Sequence, residues 1–272
     1  MSAFDVIRRR AEEYGEGDRS WILNGLRGVG KTVLLNELLT RGNERGWITA
    51  KVEAGAGVHL PVALSQGLVR TMRTATGRHP AKPLRRLLGV VKAFSLTVDP
   101  TGSVGVGVDI EPLRGYADSG RFADDLTGLF EVLGETAQDL GIGVLVLVDE
   151  LQEASSEELT AINTAVHHLG QQDVPPPLTF VGAGLPSLPA QLADATSYAE
   201  RLYDYRPIGL LDDRSAEQAL TVPARGHDVT WDPDGLRAAL STAGGYPYFL
   251  QSIGKHVWDN ARTSPILSLI HI

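Results

Sequence analysis

The chain has 272 residues, 43% hydrophobic and 21% charged, a globular composition that excludes wholesale disorder. Its 33 acidic and 25 basic residues leave a formal net charge of −8, which argues against a chain-wide basic surface for nucleic acid. Cysteine is absent, so disulfide scaffolds, cysteine-based zinc sites and thiol catalysis are excluded.

No apolar run approaches the ~18 residues of a membrane span, and the first residues, 1–20, carry basic side chains with no apolar stretch behind them. A soluble cytoplasmic protein is expected, built as one large domain or as a core with a smaller domain.

In chain order, Phe4, Ile7 and Ala11 share one helical face, so 4–14 reads as a short helix. A loop at 15–18 leads to 20–24 (SWILN), an apolar run expected to be a buried strand. A glycine-rich stretch follows at 25–30. Val33, Leu34, Leu35, Leu38 and Leu39 then form the apolar stripe of a helix over 31–45, which Gly46 ends. Residues 47–52 read as a second strand. Strand, glycine loop, helix and strand make the opening of an α/β fold. Residues 59–92 look helical in two pieces, broken around 77–80. Over 94–110, Leu96 and Val98 alternate with polar residues before turn chemistry at 99–102. Val104, Val106, Val108 and Ile110 then alternate again, which predicts a β-hairpin insertion. It reads either as a surface extension or as a partner-binding arm.

A helix is expected over 122–140. The run 144–148 (VLVLV) is the pattern of a strand buried on both faces. A helix over 155–170 is capped by Ser155 or Ser156, and strands are expected at 178–181 and 205–210. From 212 the pattern turns to short helical pieces at 214–222, 233–242 and 246–261. The change in composition places a boundary near 210, between a core (1–210) and a small helical lid (211–266).

Residues 25–32, GLRGVGKT, match G-x-x-x-x-G-K-[ST] in full, after a strand and before a helix. Gly25, Gly28 and Gly30 allow backbone angles and close approach that a Cβ would forbid. The loop N–H groups and the helix start then point at phosphate oxygens. Gly25, Arg27, Gly28, Val29, Gly30, Lys31, Thr32 and Val33 are the expected ATP-binding set. Lys31 places an ammonium on the β- and γ-phosphates, and Thr32 offers its hydroxyl to Mg²⁺. The run 144–150 ends in Asp149-Glu150, a Walker B pattern. Asp149 would hold Mg²⁺, directly or through its water, and Glu150 would act as general base on the attacking water. Glu153 is a nearby alternative base of lower rank. An acidic helix cap is the lesser alternative for the same pair. No N/T-K-x-D pattern points to GTP.

Together these motifs resemble the AAA+/STAND side of the P-loop ATPases. More narrowly they are similar to the origin-recognition-like, archaeal-type AAA ATPase domain proteins of prokaryotes, over about residues 5–261. The resemblance implies a three-layer P-loop NTPase sandwich, α/β with a parallel sheet, with the Walker B strand between the P-loop strand and others, and a helical lid. It places a sensor 1 position at 179–186. The residues there are Gly182, Ala183 and Gly184, which offer no side chain to a γ-phosphate, so a tight strand-to-helix turn is the plainer reading. Arg201 resembles an arginine finger that would act in trans on a neighbouring subunit, or else pairs with Glu200 or Asp204; Arg206, followed by a proline, is the lesser candidate. Gly245 and Pro247 resemble the G-x-P motif whose proline packs on adenine; a helix-start turn explains them equally. No basic residue at 245–250 suits a sensor 2 role, and Lys255 is a weak substitute.

The implied function is a Mg²⁺-dependent ATP-binding and ATP-hydrolysing domain of slow turnover, used as a conformational switch. The alternative is an ATP-gated, initiator-like module that binds DNA or protein with little hydrolysis. His167-His168 read as a plain helix face, since adjacent helical rings point ~100° apart. Arg8-Arg9-Arg10, Arg70, Arg73, Arg78 and Arg85-Arg86 read as solvated faces before a nucleic-acid patch. Trp21, Trp47, Trp231 and Trp258 read as packing. The apolar end, 267–272 (LSLIHI), reads as a non-native tail after a truncation near Ile266, with any DNA- or protein-binding part lying beyond it.

Overall fold

The computed structural model describes residues 3–55, 57, 59–75, 81–99 and 110–260. Its five strands are β1 (Trp21–Asn24), β2 (Ile48–Glu53), β3 (Val144–Asp149), β4 (Leu178–Gly184) and β5 (Asp204–Pro207). They form one parallel sheet in the order β2-β3-β4-β1-β5. Every residue of β3 and β4 is buried, as expected for inner strands covered by helices on both faces. The register sets Val144 beside Ile48 and Leu178, and Asn24 beside Gly184. Because the strands are parallel, their C-terminal ends gather along one edge. As expected, β3 lies between the P-loop strand β1 and another strand, β2, with β4 next to β1.

Helix α1 (Ala3–Arg9) runs into a π-helical turn that ends at Tyr14, where Gly15 adopts a left-handed conformation. The sheet is then flanked by α2 (Lys31–Glu44), α3 (Leu60–Ala75), α4 (Ala81–Val98), α5 (Phe122–Leu140), α6 (Ser156–Gly170), α7 (Leu188–Ala195) and the short α8 (Ala199–Leu202). In α2, Leu35 and Leu38 are buried while Val33 and Leu34 face out, so the inward stripe is narrower than the sequence suggests. Helix α6 begins with a capping box. Glu158 N–H donates to Ser155 Oγ (3.2 Å), and Ser155 N–H donates to Glu158 Oε2 (2.8 Å). Oxygen Oε1 of the same carboxylate accepts from Leu60 N–H (2.8 Å), so one side chain caps two helices.

The hairpin expected over 94–110 is not what its first part forms. Helix α4 continues to Val98. Leu84, Leu87, Leu88, Val91 and Phe94 recur at helical spacing and are all buried. Ser95 Oγ donates to Val91 O (2.7 Å) and meets Ser65 Oγ of α3 (2.6 Å). Leu96, which gave the strand-like alternation, lies on the outer face and is 43% exposed. The rest of the proposed hairpin, 100–109, lies outside the described residues, as does the tail at 267–272. No helix among the described residues is long and apolar enough to cross a membrane.

By contacts, Gly25–Lys31 groups with the chain from Pro207 onward as a second compact unit. Helices α9 (Asp213–Arg225), α10 (Pro233–Ala243) and α11 (Pro247–Asn260) pack there around Ala216, Leu220, Ala239, Ala243 and Leu250. Asp212 caps α9 by accepting from Ser215 N–H (2.7 Å), a bond that holds its carboxyl below the usual range. Trp231 donates to Leu220 O (3.2 Å). Trp258, expected as packing, is 43% exposed and meets the His227 ring instead.

Phe94→Ala should lower unfolding free energy by about 3–5 kcal/mol and Leu96→Ala by less than about 1 kcal/mol. Urea denaturation of the two variants reads the difference; equal losses would place residues 94–98 outside a helix.

Candidate functional site

Strand β3 delivers two carboxylates to the C-terminal edge of the sheet. Asp149 is only 5% exposed. Its Oδ1 accepts from Glu150 N–H (3.1 Å), and its Oδ2 lies 4.0 Å from the Lys51 ammonium of β2, which also donates to Asn36 Oδ1 (2.6 Å). One hydrogen bond and one distant cation are modest compensation for a buried carboxylate. A hard, oxygen-ligated cation such as Mg²⁺ suits this donor. At the end of β1, Asn24 Oδ1 is buried with no hydrogen-bond partner, a second polar atom at the same edge without compensation. Sequence reading missed Asn24; its place just before the glycine loop was the only signal. Thr32, in the first turn of α2, is solvent-exposed.

Glu150 takes φ +49°, ψ +35°, a left-handed conformation that costs a non-glycine residue of the order of 1 kcal/mol or more. The chain reverses there into a 3₁₀ turn at Leu151–Glu153, closed by Glu153 N–H on Glu150 O (2.9 Å). Gln152 Nε2 donates to Glu150 Oε2 (2.6 Å) and to Glu153 Oε1 (3.2 Å), while Gln152 Oε1 accepts from Leu185 N–H (3.0 Å) just after β4. A correction follows for 182–184: these residues are strand, not a strand-to-helix turn. A Cβ at Gly182 would fall 2.5 Å from Leu151 Cδ2, and one at Gly184 would fall 2.7 Å from Gln152 Oε1. The glycines make room for the turn that follows β3.

In the second unit, Gly28 (φ +78°) and Gly30 (φ +100°) hold the loop in conformations closed to other residues. Lys31 Nζ donates to Gly25 O (2.9 Å) and Leu26 O (2.8 Å). Val29 is buried, whereas Arg27 and Gly28 are exposed. Pro247 opens α11 between two tyrosines that touch this loop. Tyr246 Oη donates to Arg27 O, and Tyr248 N–H donates to Gly28 O (3.1 Å). Neither tyrosine was singled out from the sequence, where each was only a neighbour of Pro247. Lys255 pairs with Asp259 within α11.

Arg201 stands elsewhere. Helix α8 precedes β5, so Arg201 lies at the N-terminal edge of the sheet, opposite Asp149 and Glu150. It lines a cavity of about 550 Å³ with Arg10, Arg19, His167, Pro176 and Tyr198. The pairing expected with Asp204 is taken by Arg206, which also lies over the Trp21 ring at 3.7 Å. Arg201 itself has no ion-pair partner among the described residues. His167 stacks on Tyr198 and His168 meets Glu131 (2.6 Å). Arg8, Arg9, Arg10 and Arg86 face Glu12, Glu13, Glu16 and Glu135 respectively.

The parallel sheet, with a glycine-rich loop between β1 and α2, defines a P-loop NTPase fold. The chain belongs to the AAA ATPase domain family, whose family model matches residues 4–181. Among solved structures, it is similar to a Walker-type ATPase of Pyrococcus abyssi (19% identity, TM-score 0.56, covering 95% of this chain and 69% of that one). It is also similar to the RuvB Holliday junction branch migration motor of Thermotoga maritima (16% identity, TM-score 0.53, covering 97% of this chain and 63% of that one). The chain therefore spans less than two thirds of the RuvB chain's length. At these identities the likeness concerns the fold. No curated protein matches the chain.

Between α8 and β5, Tyr203 Oη donates to Asn163 Oδ1 (2.8 Å), and burial pushes this phenol well above the usual tyrosine range. The unfolded chain then loses the proton first. Stability is intact below pH about 10 and falls as pH rises further. Tyr203→Phe should flatten that alkaline loss, at a cost of about 1–3 kcal/mol at neutral pH for the orphaned Asn163 carbonyl. Denaturation curves from pH 8 to 11 measure both.

Proposed function

We propose that the chain is a Mg²⁺-dependent ATPase domain that works as a nucleotide-driven switch of slow turnover. The observation that carries this reading is Glu150, a glutamate held in a left-handed conformation at the end of a fully buried parallel strand, directly after a buried aspartate. Strain of this kind persists where surrounding structure enforces it, and it clusters at reacting centres. In this reading the N–H groups of 25–32 cradle the phosphates, and Lys31 gives an ammonium to the β- and γ-phosphates. Thr32 and Asp149 hold Mg²⁺, which when bound would neutralise charge on the phosphates. Glu150 orients a water toward the γ-phosphorus and accepts its proton as the phosphoanhydride bond breaks. Pro247, between the two tyrosines at the loop, would pack on adenine.

Lys31→Ala should abolish binding of a fluorescent ATP analogue; unchanged affinity would overturn the phosphate-cradle assignment. Glu150→Gln should bind ATP and hold it with little turnover, and unchanged phosphate release would move the base elsewhere.

Arg201 completes the proposal in trans. Its exposure at the far edge of the sheet, with its acidic neighbour Asp204 already paired, supports a role at another copy's nucleotide. Mixing inactive Lys31→Ala chains with inactive Arg201→Ala chains should restore part of the turnover. No restoration at any ratio would return Arg201 to a surface role.

A further inference from the structure

We infer that Gln152 is a positioning residue: its amide clamps the Glu150 carboxylate to the end of β4 and so sets where the general base points. The inference rests on the proposed role of Glu150 and names what aims it.

The bonding partners fix the amide orientation. Leu185 N–H can only donate, so it faces Oε1; Glu150 and Glu153 carboxylates can only accept, so they face Nε2. Gln152 is thus a two-ended link. At one end stands the group read as the base, and at the other the backbone just beyond β4, the strand beside β1. With Glu150 Oε2 taking the amide proton at 2.6 Å, the carboxylate cannot rotate freely. Its Oε1 is left to accept from a water.

Space at Gly184 is the second, independent observation. A Cβ there would sit 2.7 Å from Gln152 Oε1 and 2.7 Å from Leu188 Cδ2. Strand β4 therefore lacks a polar side chain at its tip because the amide of Gln152 occupies that position. The polar contact that β4 itself does not offer comes from the turn after β3. Neither neighbouring acid can replace the amide, since a carboxylate at 152 has no proton for Glu150 at neutral pH. It would instead bring a third negative charge beside Glu150 and Glu153 and repel the Glu150 carboxylate from its place.

Steady-state and single-turnover ATP hydrolysis by the full chain test this, with nucleotide affinity measured separately by titration of a fluorescent ATP analogue. Gln152→Ala should lower kcat by about 10- to 100-fold while KM and analogue affinity stay within about threefold, because an interaction that only aims the base is missed in the transition state. Gln152→Glu, which keeps the side-chain length but loses the donor, should lose kcat at least as much as Gln152→Ala. Gly184→Ala, which displaces the amide without touching Glu150, should lose kcat in the same sense. In a Glu150→Gln background, Gln152→Ala should cost nothing further. If Glu150→Gln abolishes turnover while Gln152→Ala leaves kcat unchanged, the clamp is wrong and the base assignment stands. A fall in kcat matched by equal losses of analogue affinity and thermal stability in Gln152→Ala would make the residue merely structural. If Glu150→Gln itself leaves turnover unchanged, or the parent chain hydrolyses no ATP, the reading of Glu150 fails and the clamp falls with it.

Discussion

Strand β4 is the constraint on which the rest of the site depends. It is the middle strand of five, buried along its whole length, and pairs with β3 on one side and β1 on the other. A middle strand normally projects side chains into both helical layers. Here two of those projections, at Gly182 and Gly184, are missing, and Leu151 and Gln152 fill the space. The chain leaving β3 can therefore turn back onto its neighbour within one residue. That reversal forces Glu150 into its left-handed conformation and delivers its carboxylate to the same edge as Asp149. Side chains at 182 and 184 would displace the ends of Leu151 and Gln152 from the places they now fill.

Charge is distributed unevenly between the surface and this edge. Of the arginines in the basic clusters, Arg8, Arg9, Arg10 and Arg86 are answered by nearby acids, at Arg8–Glu12, Arg9–Glu13, Arg10–Glu16 and Arg86–Glu135. Pairs this exposed add little stability, each about 0–1 kcal/mol, yet they spread the charge and leave no compact positive patch there. At the C-terminal edge the position reverses. Asp149 is buried with a single N–H donor and an ammonium 4.0 Å away, and Asn24 Oδ1 has no partner. Desolvated oxygens with so little compensation are what a divalent cation and its waters would satisfy.

The two edges of the sheet divide the chemistry. Open parallel sheets bind ligands beyond the carboxyl ends of their strands, and the carboxylates of β3 lie there. Arg201 and its cavity lie beyond the amino ends, roughly a strand length away, or about 20 Å for a seven-residue strand. A guanidinium at that distance cannot serve the carboxylates of its own chain. The geometry thus keeps Arg201 and its cavity apart from the carboxylate edge of the same sheet.

Much of the fold was legible because its signals are local. A strand buried on both faces declares itself as VLVLV. The glycine loop does so as GLRGVGKT, since its pattern needs only glycines, a lysine and a hydroxyl at set spacing. Ser155 and Glu158 announce a helix start in the same way. The misreading at 94–98 was local too: an outward Leu96 and a half-buried Val98 mimic alternation over so short a stretch, and only burial of Phe94 and Ser95 between helices decides for α4. Other features had no local signature. Strand order, the tyrosines on the loop backbone, the stacking of Arg206 on Trp21 and the bridge from Glu150 through Gln152 to β4 all join residues far apart in the chain. The sequence by itself determined most of the strands and helices and marked a glycine loop and an Asp-Glu pair as the candidate site, because both follow from spacing along one element. Only the tertiary structure decided that β4 lies between β3 and β1, and therefore that glycines at 182 and 184 make room for Leu151 and Gln152, because contacts across strands depend on which strands are neighbours.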